Sequence, residues 1–195
     1  ELESLDSLAE ASDYPVKYGY INVGETSGGE RVFAFYPHQS EFTTAPERLI
    51  RLPDTVGDED AVFLPSMETA LQICHDAAPR LGDRLLVFGL GVIGAFASML
   101  LRRAGACVIC VDPKPDRRRR LADLGFTVFD PTAADTEAQL KELTAGGADI
   151  AVNTSSTQQA LQLAIETVRP EGTVVEASWY GSRPVELHLG AGFHR

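Results

Sequence analysis

A chain of 195 residues, 44% apolar and 23% charged, has room for one domain of ordinary size and part of another, each with a real core. A formal charge of −11 argues against nucleic acid and anionic membranes as partners, because both demand a concentrated basic face and the one basic cluster, Arg117 to Arg120, is short. No apolar run reaches the ~18 residues that cross a bilayer, and no basic-then-apolar leader opens the chain, so the cytoplasm is the expected location.

Glu1 to Asp13 is acidic with leucines at Leu2, Leu5 and Leu8, which reads as a short helix or a frayed end. From Tyr14 to Phe42 two β-like segments, Val16 to Val23 and Arg31 to Tyr36, flank the turn-rich stretch Gly24 to Gly29. Two strands neither close a barrel nor bury a sandwich, so residues 1–50 read as part of a β domain. A first residue of Glu rather than Met fits a fragment.

Leu52-Pro-Asp54 and Pro65 punctuate the crossing into a second domain, residues 51–195. Met67, Ala70, Leu71, Cys74 and Ala77 recur at helical spacing between Ser66 and Ala78. Alternating units follow. Strands are expected at Leu85 to Phe88, Cys107 to Val111, Thr127 to Phe129, Asp149 to Val152 and Thr173 to Ala177. Helices are expected at Val92 to Ala104, Pro115 to Leu124, Ala134 to Thr144 and Thr157 to Val168, the first two closed by Gly105 and Gly125. Such alternation implies an α/β fold, a doubly wound parallel sheet of the Rossmann kind with helices on both faces, here without a sixth strand. Three cysteines cannot all pair, and reduced thiols are expected. Cys107-x-x-Cys110 falls within a strand, whose alternation sends the two thiols to opposite faces and argues against a metal pair.

The chemistry concentrates at Gly89-Leu-Gly-Val-Ile-Gly94, between the first strand and the helix after it. In a Gly-x-Gly-x-x-Gly turn the first glycine permits the bend, the second lets a pyrophosphate approach the backbone, and the third lets helix lie on strand. The helix start at Val92 and Ile93 then faces the anion. Asp112 ends the second strand 21 positions beyond Gly91, where a carboxylate hydrogen-bonds the adenosine ribose and repels a 2′-phosphate. This favours NAD over NADP. Pro113, Lys114 and Arg117 border the same end. The basic residues Lys114 and Arg117 to Arg120 are partners for a 2′-phosphate or, in the simpler reading, a solvated helix face with at most one arginine stacked on adenine. In a doubly wound sheet the ligand lies across the carboxyl ends of the strands, so Asn153, Thr154 and Ser155 after the fourth, and Ser178, Trp179 and Tyr180 after the fifth, are the stretches expected on the nicotinamide side.

These pieces together resemble the medium-chain dehydrogenase/reductase superfamily of zinc alcohol dehydrogenases, sorbitol and threonine dehydrogenases and quinone reductases. The resemblance rests on Gly19 to Gly24, Leu52-Pro-Asp54, Thr69-Ala70, Gly82 to Gly94, Val111-Asp112 and Leu121 to Gly125. More narrowly, Val32 to His38 and Ser178 to Gly181 look like a branch near the threonine- and bacteriochlorophyllide-dehydrogenase-like members. The resemblance implies a GroES-like catalytic domain, of which residues 1–50 are part, Thr69 among the cofactor contacts, and a homo-oligomer built through the cofactor domain. It also exposes departures. Zinc-dependent relatives carry Gly-His-Glu, where the His binds catalytic zinc, and the matching positions here are Gly19, Tyr20 and Ile21. A further family ligand falls near Pro65, whose side chain coordinates nothing, and the cysteine-rich structural-zinc loop is missing. No zinc is therefore expected in this segment.

The resulting expectation is a zinc-independent oxidoreductase that moves a hydride between NAD(H) and a small alcohol or carbonyl substrate. Tyr20 is the candidate to protonate or stabilise the alkoxide, with packing in a β core as its alternative. His38 and Glu68 are weaker candidates. The rival expectation is a non-catalytic dinucleotide-binding module, a sensor or degenerate member that retains the fold.

Overall fold

A computed structural model describes residues 18–190 and Phe193. The short helix or frayed end considered for Glu1 to Asp13, and the start of the first expected strand at Val16, lie outside them. The chain divides into two compact units, Glu1–Pro65 and Ser66–Arg195.

In the first unit β1 (Ile21–Glu25), β2 (Arg31–Phe35) and β3 (Leu49–Arg51) form an antiparallel sheet in that order. The first strand begins later than the expected Val16 to Val23. Tyr18 and Tyr20 extend its line through carbonyls that accept the N–H groups of His38 and Tyr36, with Gly19 at φ +89 between them. The hairpin picture also omits β3, a three-residue strand that follows the 3-10 turn Pro46–Arg48 and sets Ile50 opposite Phe33. A strand so short, bracketed by prolines, offers no alternation to read. A small core of Phe33, Leu52 and Ala61, the last from the one-turn helix α1 (Asp58–Ala61), closes the unit.

The second unit is a five-stranded parallel sheet, order β6-β5-β4-β7-β8, built from β4 (Arg84–Phe88), β5 (Cys107–Val111), β6 (Thr127–Phe129), β7 (Ala148–Asn153) and β8 (Val168–Glu176). The helices are α2 (Leu64–Ala77), which starts in the last residues of the first unit, α3 (Val92–Arg103), α4 (Pro115–Asp123), α5 (Thr136–Leu143) and α6 (Gln158–Thr167). Strands covered on both faces are apolar at nearly every position, which is why Leu85, Leu86, Val87 and Phe88 read as an unbroken run. Alternation splits them. Leu85, Val87, Val108, Cys110, Ile150 and Val152 pack with Ala70, Ile73 and Ala77 of α2, Ala97 and Leu101 of α3 and Leu121 of α4. Leu86, Phe88, Ile109, Val111 and Ala151 pack on the other face with Leu140 of α5 and Ala164 of α6.

Two boundaries differ by more than fraying. The third crossover helix starts at Thr136 instead of Ala134, because Asp130 folds back to accept from the N–H and hydroxyl of Thr132 and Asp135 takes a left-handed conformation at φ 57. The last strand starts at Val168 instead of Thr173. Pro170-Glu-Gly172 reads as a turn, but the chain absorbs it as an irregularity in pairing between Ala148 and Ile150, with Glu171 left-handed at φ 59.

At the amino ends of β4 and β7, Asp149 accepts the N–H of Arg84 at 2.8 Å and Nε of Arg169 at 2.7 Å. The Arg169 hydrogen bond, then the Arg84 N–H, hold its carboxyl below the usual carboxylate range. A depressed folded value contributes stability above the unfolded value of about 4 and loses it as pH falls through the folded one. Asp149→Asn should therefore be less stable than the parent in denaturant melts at pH 7, with the gap narrowing steadily below about pH 4.

Candidate functional site

The carboxyl ends of β4, β5, β7 and β8 lie along one edge of the sheet, and Gly89 leaves β4 there at φ +88, a conformation that favours glycine. Its N–H donates to the carbonyl of Val111 at the end of β5. Its carbonyl accepts the Thr154 hydroxyl at 2.9 Å. Gly94, in the first turn of α3, lies against that same carbonyl: a Cβ on Gly94 would stand 1.9 Å from the Gly89 oxygen and 2.7 Å from Thr154 Oγ1. The third glycine of the turn is therefore required by helix-on-strand packing.

The middle glycine has a different reason. A Cβ on Gly91 would meet no protein atom within 4 Å, and its φ of −69 lies where any residue is comfortable. Neither crowding nor backbone strain explains glycine at this position. What remains is the space in front of it, which a side chain would occupy and a ligand approaching the backbone needs. α3 begins here without a side-chain cap, so its first N–H groups and the positive end of its dipole face that space. A pyrophosphate fits such a cradle.

Asp112 is 2% exposed. Its Oδ2 accepts the Leu90 N–H at 2.8 Å and its Oδ1 the Lys114 N–H at 2.8 Å, which ties the glycine turn to the start of α4. Arg117 Nη1 stands 3.3 Å from Oδ2. The neighbouring Arg118 has a structural task, with donors on the Asp112 carbonyl at 2.6 Å and on Asp130 at 2.7 Å.

Thr154 and Ser155 stand directly against Gly89, where a Cβ would lie 3.0 Å from Ser155 backbone atoms. Behind them is the buried Asn153. Its Oδ1 accepts the N–H and hydroxyl of Ser155 at 3.1 and 2.8 Å. Its Nδ2 donates to Glu176 Oε2 at 2.7 Å and to the Tyr180 hydroxyl at 3.1 Å. The Tyr180 hydroxyl donates to Glu176 Oε2 at 3.2 Å, and the N–H of Ser178 donates to Oε1 at 2.7 Å. Ser178 Oγ donates to the Asn153 carbonyl at 3.1 Å. Burial first, and Glu176 second, push the Tyr180 phenol up. Asn153 and Tyr180 fall in the two stretches that the sequence places at the nicotinamide side, whereas Glu176, inside the last strand, is not singled out by the sequence, although the end of one strand facing the end of the next is where such a polar lock belongs.

Among the sequence candidates, Gly89, Gly91, Val92, Ile93, Gly94, Asp112, Pro113, Lys114, Arg117, Thr154, Ser155 and Ser178 all belong to this edge or the loops leaving it. Trp179 is exposed in the loop after β8, and Thr69 is exposed on α2. Tyr20 belongs to the first unit, where its ring stacks on Phe35 and stays 39% exposed. His38 lies beside it in that unit, its ring over the α-carbon of Gly19, where a Cβ would come within 2.4 Å. Glu68 is exposed on α2. Cys107 is exposed and Cys110 buried, on opposite faces of β5. Among the described residues no group of three His, Cys, Asp or Glu side chains is arranged to hold a metal ion. No described helix is long and apolar enough to cross a membrane.

The family described as zinc-binding dehydrogenase matches residues 92–191. The chain is similar to (R,R)-butanediol dehydrogenase of Bacillus subtilis, 30% identical over 153 residues that cover 76% of this chain and 44% of the relative. D-guloside 3-dehydrogenase of Escherichia coli is 35% identical over 133 residues, 65% of this chain and 37% of that protein. Among solved structures, an alcohol dehydrogenase from Thermus sp. ATN1 superimposes with a TM-score of 0.68 at 26% identity, over 74% of this chain and 44% of that one. The chain spans less than half the length of the curated relatives it matches.

The loop that carries Ser155 holds Ser156 left-handed at φ 54. Relief of that strain makes Ser156→Gly more stable than the parent by about 1 kcal/mol, read as a raised midpoint in urea.

Proposed function

Because the chain belongs to the zinc-binding dehydrogenase family, within the medium-chain dehydrogenase/reductase superfamily, we propose that it forms the dinucleotide-binding part of an oxidoreductase acting between NAD(H) and a small alcohol or carbonyl compound. The observation that carries this reading is the glycine turn, where Gly94 is demanded by packing and Gly91 by nothing in the protein itself. A bound nicotinamide dinucleotide supplies the hydride acceptor or donor. Gly91, Val92 and Ile93 hold its pyrophosphate at the start of α3, and Gly89 and Gly94 keep the turn in shape for it. Asp112, flanked by Pro113, Lys114 and Arg117, takes the adenosine ribose. Thr154, Ser155, Ser178 and Trp179 line the nicotinamide side, with Thr69 a further contact. The Asn153–Glu176–Tyr180 cluster fixes Ser155 and Ser178, and a carboxylate that already accepts three hydrogen bonds is a positioning group there, not a general base.

The substrate oxyanion needs a donor, and Tyr20, half-exposed and standing where zinc-dependent relatives carry a ligand, supplies it as a phenol. This segment contributes no zinc ligand in our reading, supported by Tyr20 and Pro65 at the family's ligand positions. The first unit forms part of the GroES-like domain and the second the cofactor domain. The protein works in the cytoplasm, as a homo-oligomer built through that domain, without nucleic-acid or membrane partners. A second reading, a dinucleotide sensor without turnover, is favoured by the stacking of Tyr20 on Phe35, which is also what a merely structural tyrosine does.

Gly91→Ala separates ligand from scaffold. Its melting midpoint should stay with that of the parent, within about 0.5 kcal/mol, while NADH binding followed by nicotinamide fluorescence weakens at least about tenfold. An unchanged NADH affinity would sink the dinucleotide reading. Turnover of an alcohol and aldehyde panel that disappears in Tyr20→Phe supports the enzyme; NADH binding with no turnover by any panel member supports the sensor. Stoichiometric zinc in the purified chain would overturn the zinc-free assignment.

A further inference from the structure

We propose that Phe35 is a specificity-determining residue and that the substrate carries a flat, uncharged aromatic ring beside its reacting carbon, an inference that rests on the oxidoreductase reading above and names its substrate class. Two ring pairs in the first unit differ in how much of their surface they use up. Tyr36 and Phe42 lie parallel with centroids 4.1 Å apart, close to the ~3.5–4.0 Å of full contact, so the faces between them are spent. Tyr20 and Phe35 are parallel to within 10°, but their centroids are 6.4 Å apart. With the planes in contact, that separation means the rings are slid past one another by about 5 Å, which leaves much of each face open. Exposure agrees. Phe35 is 46% exposed, whereas Phe33, two positions earlier on β2, is fully buried.

The open pair is held in place from behind. Phe33 meets Phe35 edge-on, with centroids 5.0 Å apart and planes at 80°, and is itself locked in the core with Leu52 and Ala61. The Tyr20 carbonyl accepts the Tyr36 N–H, which fixes Tyr20 beside the end of β2. A ring held this way offers its face to a ligand at little cost in conformational freedom. The chemistry around it selects the occupant. From Tyr18 to Gly24 and from Val32 to Ser40 there is no Asp, Glu, Lys or Arg, in a chain that carries 17 basic and 28 acidic side chains. The Asn22 amide is taken up by the Tyr36 carbonyl, and Arg31 at the start of β2 by Asp58 and the Val56 carbonyl. A polyol or a sugar acid needs several polar or charged partners when it leaves water, and this stretch offers it few. An aromatic alcohol or aldehyde needs one donor for its oxygen and one face for its ring. The Tyr20 hydroxyl, which hydrogen-bonds to no described residue, supplies the first and Phe35 the second.

The test measures binding of 4-(dimethylamino)cinnamaldehyde, an aromatic aldehyde followed by its own absorbance, to the 195-residue chain with NAD bound, a combination that cannot turn over. The parent should bind the probe, Phe35→Leu should bind it about five- to tenfold more weakly, and Phe35→Tyr, which restores a ring face, should bind it as the parent does. A thermal melt of each variant verifies folding. Should Phe35→Leu not fold, Tyr20→Leu, at an exposed ring, reads the same loss. Xylitol in about a hundredfold excess should leave the probe in place. Equal affinity in parent and Phe35→Leu overturns the proposal, and so does displacement by xylitol. A chain that binds the dinucleotide but not the probe also overturns it and leaves the dinucleotide reading intact. A chain that does not bind the dinucleotide overturns both.

Discussion

The second unit depends on one close approach, that of Gly94 to the carbonyl of Gly89. With no side chain between them, α3 lies directly on the end of β4, and the same carbonyl takes the Thr154 hydroxyl from the loop after β7. One strand, one helix and one loop are thereby fixed around a single oxygen. Everything the site needs follows from that anchorage: the uncapped start of α3, the turn whose Leu90 N–H reaches Asp112 on β5, and the Ser155 backbone set against Gly89. Interiors packed this tightly do not deform gradually, so the geometry presented to a ligand is set by the fold before any ligand arrives.

Around this point the polar groups fall into two locks on either side of β4. On the β5 side Asp112 is closed by backbone donors and faced by an arginine; on the β7–β8 side Asn153 is closed by Ser155, Glu176 and Tyr180. Every buried side-chain nitrogen and oxygen described finds a hydrogen-bond partner. The two locks serve different ends of a dinucleotide in our reading, and they differ in rigidity. The Asn153 cluster is a net of several members, whereas the Arg117 contact is a single long pair.

Much of the second unit was legible in the sequence because its physics is local. Apolar runs of strand length, helices with periodic apolar faces and glycines just past their ends marked all five strands and all five helices to within a few residues, and the Gly89 to Gly94 spacing with Asp112 located the edge where they meet. What escaped is non-local. Val168 joins β8 because Ala148 stands opposite, which the turn-like Pro170-Glu-Gly172 conceals. Leu49–Arg51 is a strand only because β2 is beside it. Spacing likewise gave Asp112 a position but not its partners, and the hydrogen bonds that fill its acceptor sites come from a turn 22 residues away and from the chain just after it.

The opposite faces of β5 also give the protein an internal clock. Cys107 stands exposed at the start of the strand, while three residues on Cys110 is fully enclosed against Ser98 and its thiol is pushed up to about 11, chiefly by burial. A thiol that is both covered and protonated does not react with an alkylating reagent, whereas one in solvent does. Labelling of Cys110 therefore proceeds only as fast as the centre of the sheet opens, with Cys107 on the same strand as an unprotected reference. The chain carries its own unfolding reporter, and it sits on the strand that leads into Asp112.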